Sequence, residues 1–178
     1  MDLKAGAMRR MTKDLYINQR AQADEHNLQI IGIMQKWLGL MIEVASDEDD
    51  KRNNTDLITE TGKRIACRVR LNKYWQVFRR QITIRHSNRS GVETELHKIL
   101  KGYGDFMFYG FESAAGNLVE NWVILDLDHF RNYFNGQVLP IVKINKDGEN
   151  SLAAFDLDAM PVGLVAYSNW YRSPHDRG

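Results

Sequence analysis

The stretch DFMFYGF, residues 105–111, constrains the fold more than any other part of the chain. It is nearly all apolar, rich in aromatic residues, and far too short to cross a membrane as a helix. Such a run reads as a central β-strand covered on both faces. A strand of that kind needs neighbours in a sheet and a packed layer on each side. The rest of the chain must supply them.

Candidates for those layers are easily found. Asp24 caps a helix starting near Glu25. In it Leu28, Ile31, Met34 or Gln35, and Leu38 recur at helical spacing, Ile30, Ile33 and Trp37 widen the stripe, and Gly39 ends it. LMIEVAS (40–46) reads as a short strand and DEDDKRNN (47–54) as a polar loop. DLITE and RIACRVR follow as two strands joined around Thr61-Gly62. QITIRH (81–86) alternates as a further strand. Ser90 and Glu93 form a capping box for a helix that carries Val92, Leu96, Ile99 and Leu100 and stops at Gly102. NWVILDL (121–127) is another strand, and Asp128 caps a short helix, HFRNYF. VLPIVKI and SLAAFDL flank NKDGEN, whose Asp147-Gly148 signals a hairpin.

This order predicts an α/β (α+β) fold in a single domain, with a central mixed β-sheet flanked by helices. Residues 1–23 form a polar N-terminal extension, 25–111 the core, and 121–170 C-terminal strands and a helix. The tail YRSPHDRG is expected to fray. With 178 residues, one domain is the default. No apolar run approaches the ~20 residues of a membrane span, and the N-terminus has no apolar signal region. Cys67 is the only cysteine, so neither an internal disulfide nor a cysteine-based zinc cluster can form. A cytoplasmic setting and no membrane partner are the corresponding expectations.

The net charge of +1 conceals an asymmetry. From Lys63 to Lys101 there are eleven Lys or Arg residues against two acids, Glu93 and Glu95. The remainder of the chain is net acidic. Clustering of this kind reads as a footprint for a polyanion. KYWQVFRRQITIRHSNR sharpens the reading. It interleaves Tyr74, Trp75 and Phe78 with Lys73, Arg79, Arg80, Arg85 and Arg89. Cations for phosphates and flat rings for unpaired bases are the parts of a surface for single-stranded or branched DNA. Lys63 and Arg64 extend that nucleic-acid-binding set. The plainer reading makes Trp75 and Phe78 core residues.

TDLITETGKRIACRVR (55–70) raises the question of chemistry. Two registers are open, and they put different residues beside Asp56. A two-residue turn at Thr61-Gly62 sets Asp56 across from Cys67, with the arginines pointing away. A three-residue loop ending in left-handed Gly62 sets Thr59 across from Lys63 and Asp56 across from Ala66. Asp56 then shares a face with Arg64, Arg68 and Arg70. A terminal glycine favours the second register.

A helix, a three-stranded meander, a helix and a further strand, with Asp56 opening the second strand and CRVR on the third, resembles the PD-(D/E)XK nuclease-like superfamily. The resemblance covers roughly residues 25–111 and implies a restriction-endonuclease-like core. It also implies Mg²⁺ held by Asp56 and a second acid, with a nearby Lys or Arg stabilising charge on the phosphate. The motif departs from the family in one place. If Arg70 stands for the family's Lys, Arg68 occupies the acid's position; if Arg68 does, Ala66 does. Glu95 is a candidate replacement acid, with Glu25, Glu43 and Glu48 as others. The catalytic candidates are therefore Asp56, Glu95, Arg68 and Arg70. A second resemblance, to uncharacterised proteins of tailed phages and prophages, rests on ACRVR, ITIR, ETEL and FYGF and implies no activity.

Other chemistry is weakly signalled. The five histidines show no ligand spacing, and His97, four residues after Glu93, reads as half of a helix-surface pair. Cys67 reads as core. GYGDFMFYG runs from helix to strand, opposite to a phosphate-binding loop. Three functions follow from these readings. The first is a nucleic-acid-binding protein with a nuclease-like fold and weak or absent cleavage. The second is a Mg²⁺-dependent endonuclease with a migrated acid. The third is an interaction protein whose basic strands meet an acidic protein partner. A homodimer is compatible with each.

Overall fold

The computed structural model describes residues 26–46, 48–49, 55–87, 91–135, 137, 141–143 and 151–169. Helix α1 spans 26–38. A meander follows: β1 (Ile42–Val44), β2 (Leu57–Thr59) and β3 (Arg64–Arg70). A 3-10 turn (Asn72–Tyr74) and a short helix α2 (Trp75–Phe78) lead to β4 (Gln81–Ser87) and helix α3 (Glu95–Leu100). Then come β5 (Phe106–Glu112), β6 (Val119–Asp126), helix α4 (Leu127–Phe134), β7 (Ile141–Lys143), β8 (Ser151–Asp156) and β9 (Val165–Ser168). No helix among the described residues is long and apolar enough to cross a membrane.

The main sheet is six-stranded and mixed, in the order β1-β2-β3-β5-β6-β9. β3 and β5 are parallel, from Ile65 opposite Phe106 to Arg70 opposite Phe111. The other pairs in this sheet are antiparallel. β5 therefore lies inside the sheet, and Met107 to Glu112 are all buried. Both faces are covered, as the apolar run requires. On one face Ile30 and Met34 of α1 pack on Leu57, Ile65, Phe108, Trp122 and Ile124. On the other, Met107, Tyr109, Phe111, Val123 and Leu125 meet Leu96 and Ile99 of α3, Phe130 of α4, and strands β4 and β8. Each large apolar side chain so buried contributes about 1.5–3 kcal/mol. Gly110 is needed for close approach, because a Cβ there would stand 2.7 Å from Val119 Cγ1.

Several local expectations are corrected. A second sheet exists, three-stranded and antiparallel, in the order β4-β8-β7. β4 thus leaves the meander and pairs far along the chain, Gln81 with Asp156 and Arg85 with Leu152. β9 is an additional strand on the main sheet's edge. Of the apolar stripe expected on α1, Ile30 and Met34 are buried as expected, whereas Leu28 is 73% exposed. Gln29 ties this helix to the β5–β6 connection by accepting from Val119 N and donating to Asn117 O. Helix α4 is capped by Asp126, which accepts from His129 N at 2.9 Å, and not by Asp128. Helix α3 starts at Glu95 with Thr94 as its N-cap. Glu93 therefore lies outside the helix and pairs with Lys101 instead of completing a capping box. Ser90, the N-terminal extension, the 47–54 loop in the main and the turn between β7 and β8 fall outside the described residues.

Candidate functional site

The β2–β3 hairpin decides which side chains can meet. Gly62 sits at φ 79°, a conformation that favours glycine. Thr59 N donates to Lys63 O at 2.9 Å, and Gly62 N donates to Thr59 O at 2.8 Å. Leu57 then faces Ile65 and Ile58 faces Arg64. This is the three-residue loop, and the regular ladder stops at Leu57, one residue after Asp56. Alternation along β3 sends Ile65, Cys67 and Val69 toward α1. Ala66 faces the other core, and Arg64, Arg68 and Arg70 share its side.

Asp56 stands where β2 begins, and its polar groups are engaged by β3 and by the residue that follows β1. Its N–H donates to Ile65 O at 3.0 Å, and its carbonyl accepts from Ala45 N at 2.9 Å. Its Oδ2 accepts from Cys67 N at 2.6 Å. The carboxylate thus does for β3 what a strand carbonyl would do one residue earlier. It also acts on Cys67. Burial, aided by the negative charge of Asp56, pushes the Cys67 thiol well above its usual range. A thiol held neutral in this way is a packing residue and not a nucleophile.

Arg68 and Glu95 do come together across the β3–α3 gap. Arg68 Nε donates to Glu95 Oε1 at 3.3 Å, and Nη2 donates to Oε2. Only 9% of the Glu95 side chain and 23% of the Arg68 side chain are exposed. This is a bidentate, largely desolvated pair. Glu95 is therefore not on a solvated helix face. Arg70 is engaged deeper in the same layer. Its Nε donates to Tyr109 Oη at 3.3 Å, and its Nη2 donates to the Thr83 carbonyl at 3.1 Å and to Thr83 Oγ1. Thr83 and Tyr109 are themselves joined at 2.9 Å. Sequence reasoning assigns Tyr109 no role beyond the apolar run. The signal available was its hydroxyl, since a phenol amid such residues calls for a buried polar partner.

This donor set does not fit Mg²⁺ as it stands. The ion takes several oxygen ligands in near-ideal octahedral geometry. Asp56 already holds the Cys67 amide, and Glu95 already holds the Arg68 guanidinium, whose positive charge it balances. Among the described residues, no group of three or more His, Cys, Asp or Glu side chains is gathered as a metal would need.

The expected nucleic-acid-binding residues divide into two groups. Lys63 Nζ donates to Asp105 Oδ1 at 2.8 Å, and the Arg64 amide donates to Asp105 Oδ2 at 2.8 Å. Burial acts to raise the Asp105 carboxyl, but the Arg64 amide and Lys63 outweigh it and hold it below its ordinary value. Lys63 is raised by the same bond. Arg80 pairs with both carboxylate oxygens of Asp158. Trp75 is half-buried, with its ring edge-on to Phe111 at 5.2 Å, so it closes the core. Phe78 packs beside it. Lys73, Arg79 and Arg85 are exposed, as Lys63 and Arg80 are, and differ from them in pairing. Arg79 and Arg85 have no ion pair among the described residues, and Lys73 lies over the exposed Tyr74 ring at 5.2 Å. The half-buried Arg64 side chain likewise has no ion pair there. Arg89 lies outside the described residues.

No protein-family model matches this chain, and no curated protein matches it in sequence.

Proposed function

We propose that this protein binds nucleic acid, most readily DNA, through a nuclease-like fold and without metal-dependent cleavage. One observation carries the reading. The carboxylates that would do chemistry, Asp56 and Glu95, are held by groups of the protein. Lys73, Arg79 and Arg85 meanwhile stand exposed on the segment that follows β3. The element order supports the fold assignment: α1, the β1–β2–β3 meander, α3, and β5 parallel to β3. Cations that face water and have no acidic partner among the described residues are placed to displace the counterions of a phosphate backbone. Tyr74, beside Lys73, offers a ring to an unpaired base.

The test is binding by fluorescence anisotropy to single-stranded, duplex and branched DNA over a salt series. Agarose assays with Mg²⁺, Mn²⁺ and EDTA run in parallel. The expected result is binding that weakens steeply with salt and leaves every substrate intact. Metal-dependent cutting that disappears in Asp56→Ala would replace this reading with an active endonuclease. Absence of binding at low salt would leave an acidic protein partner as the occupant of the basic surface.

A further inference from the structure

His86 and His97 meet where β4 ends and α3 begins. β4 steps from Arg85, opposite Leu152, to Ser87, opposite Ser151, so His86 is the extra residue of a β-bulge. Bulges re-aim a side chain, and they recur beside functional sites. This one leaves the His86 ring with its centroid 5.5 Å from that of His97, the planes inclined at 39°. His97 is exposed and His86 half-buried.

Each ring is held by its Nδ1 atom. Thr94 has one hydroxyl proton, and it donates to the His86 carbonyl at 2.9 Å. The Thr94 oxygen must then accept from His97 Nδ1, 2.9 Å away. In the neutral His97 ring this fixes the tautomer: the proton is on Nδ1 and the lone pair on Nε2. His86 Nδ1 lies 3.2 Å from Ser151 Oγ, which lies 2.6 Å from Ser87 Oγ. When Nδ1–H donates to Ser151 and Ser151 donates to Ser87, His86 also carries its lone pair on Nε2. The hydroxyl chain can reverse, and a cation at Nε2 selects this direction.

We propose that His86 and His97 form a two-histidine site for a transition-metal dication of the Zn²⁺ class, bound through both Nε2 atoms. Imidazole nitrogen suits Zn²⁺, Ni²⁺ and Cu²⁺ and not Mg²⁺. A hydrogen-bond acceptor on the opposite ring nitrogen fixes the tautomer and orientation of a ligating histidine, and here hydroxyl oxygens fill that place. With Zn–N bonds of about 2.0–2.1 Å and a tetrahedral angle, two ligating rings stand about 5 Å apart at their centroids. The observed 5.5 Å is close to that separation. Two protein ligands leave two positions for water or another oxygen donor. Glu93, the carboxylate outside α3 nearest in sequence, is taken by Lys101 and is not a ligand. The site stands independently of the nucleic-acid reading.

The full chain, observed by NMR at its histidine ring signals, tests this during titration with ZnCl₂ and, separately, MgCl₂. Zn²⁺ is expected to move the His86 and His97 signals together and saturate near one equivalent, with His26 and His129 unmoved. Mg²⁺ is expected to move none of them. Competition with a chromophoric zinc indicator then compares wild type with His97→Asn, whose unfolding midpoint without metal is measured alongside to show that the fold is kept. Loss of an outer partner alone costs about 10–100-fold in affinity, and loss of a ligand at least as much. Histidine signals 86 and 97 that stay fixed under excess Zn²⁺ overturn the proposal. So does a His97→Asn chain that binds Zn²⁺ as tightly as wild type.

Discussion

The cations between Lys63 and Arg85 form a single cluster in sequence and two populations in the fold. Lys63, Arg68, Arg70 and Arg80 are held by Asp105, Glu95, the Thr83–Tyr109 pair and Asp158. Lys73, Arg79 and Arg85 face water. The first population builds the fold: Arg68 joins the main sheet to α3, and Arg70 joins it to β4. The second is available to a ligand. A count of charges cannot separate the two, and mutation can, because the populations respond to opposite measurements. Cations held by other groups of the protein should alter stability, and exposed ones with no ion pair among the described residues should alter binding.

The largest effect is expected at the Arg68–Glu95 pair. Removing one partner leaves the other charge desolvated and alone, which typically costs about 3–5 kcal/mol. Because 23% of the Arg68 side chain is exposed, water offsets part of that cost. Glu95→Ala should therefore lower the unfolding free energy in urea by about 3 kcal/mol. Adding Arg68→Met to Glu95→Ala should recover most of the loss, since a buried pair replaced as a whole is often neutral. A single variant as stable as wild type would move Arg68 to the exposed population and break the comparison.

The hairpin was legible in the sequence because one residue decides it. Gly62 at the end of the loop selects the three-residue turn, and the register puts Leu57 opposite Ile65 and Ile58 opposite Arg64. DFMFYGF was legible as an inner strand because its composition excludes an exposed face. What stayed hidden depends on partners distant along the chain. Arg68 lies 27 residues from Glu95, and Arg80 lies 78 from Asp158. Nothing local to either arginine announces its acid. Glu95 was legible as a residue that α3 brings toward β3, but not as an ion-pair partner. The second sheet was hidden for the same reason, since alternation in QITIRH marks a strand without naming β8 as its neighbour. Ser90 and Glu93 have the spacing of a capping box, yet Thr94 starts the helix and Glu93 reaches Lys101.

Asp56 gives the next largest effect and separates a structural acid from a metal ligand. Asp56→Ala leaves the Cys67 amide without its acceptor, a loss of about 1–3 kcal/mol. Asp56→Asn keeps a carbonyl oxygen and should cost less. Hydrogen exchange at the Cys67 amide should quicken in the alanine variant and much less in the asparagine one. Equal stability of all three proteins would release Asp56 from this role.

A smaller effect, dependent on pH, belongs to Asp105. Its carboxyl is held below its ordinary value of 3.8 in the folded protein. The unfolded chain therefore binds the proton more tightly, and acid favours unfolding. The contribution is fully present above the ordinary value and is lost as pH falls through the folded one. Lys63 is half exposed, so screening limits its share. Asp105→Asn should remove this part of the acid dependence and flatten the stability profile below pH 3.8. An unchanged acid limb in Asp105→Asn would assign that limb to other carboxylates.

The smallest stability effect should come from the residues that matter most for the proposed binding. Arg79 and Arg85 are exposed and have no ion pair among the described residues. Their replacement by alanine should change unfolding free energy by no more than about 0.5 kcal/mol. For every phosphate that a variant ceases to neutralise, the slope of log K against log salt should fall by about 0.9 on duplex DNA and about 0.7 on single strands. Arg80 is the internal control, because it holds Asp158 although it is adjacent to Arg79 in the chain. Arg80→Ala should leave that slope nearer to the wild-type value than Arg79→Ala does. If the two variants changed the slope equally, the Asp158 pair would be no obstacle to phosphate. The line between held and available cations would then have to be drawn at Arg68 and Arg70, beneath the sheet.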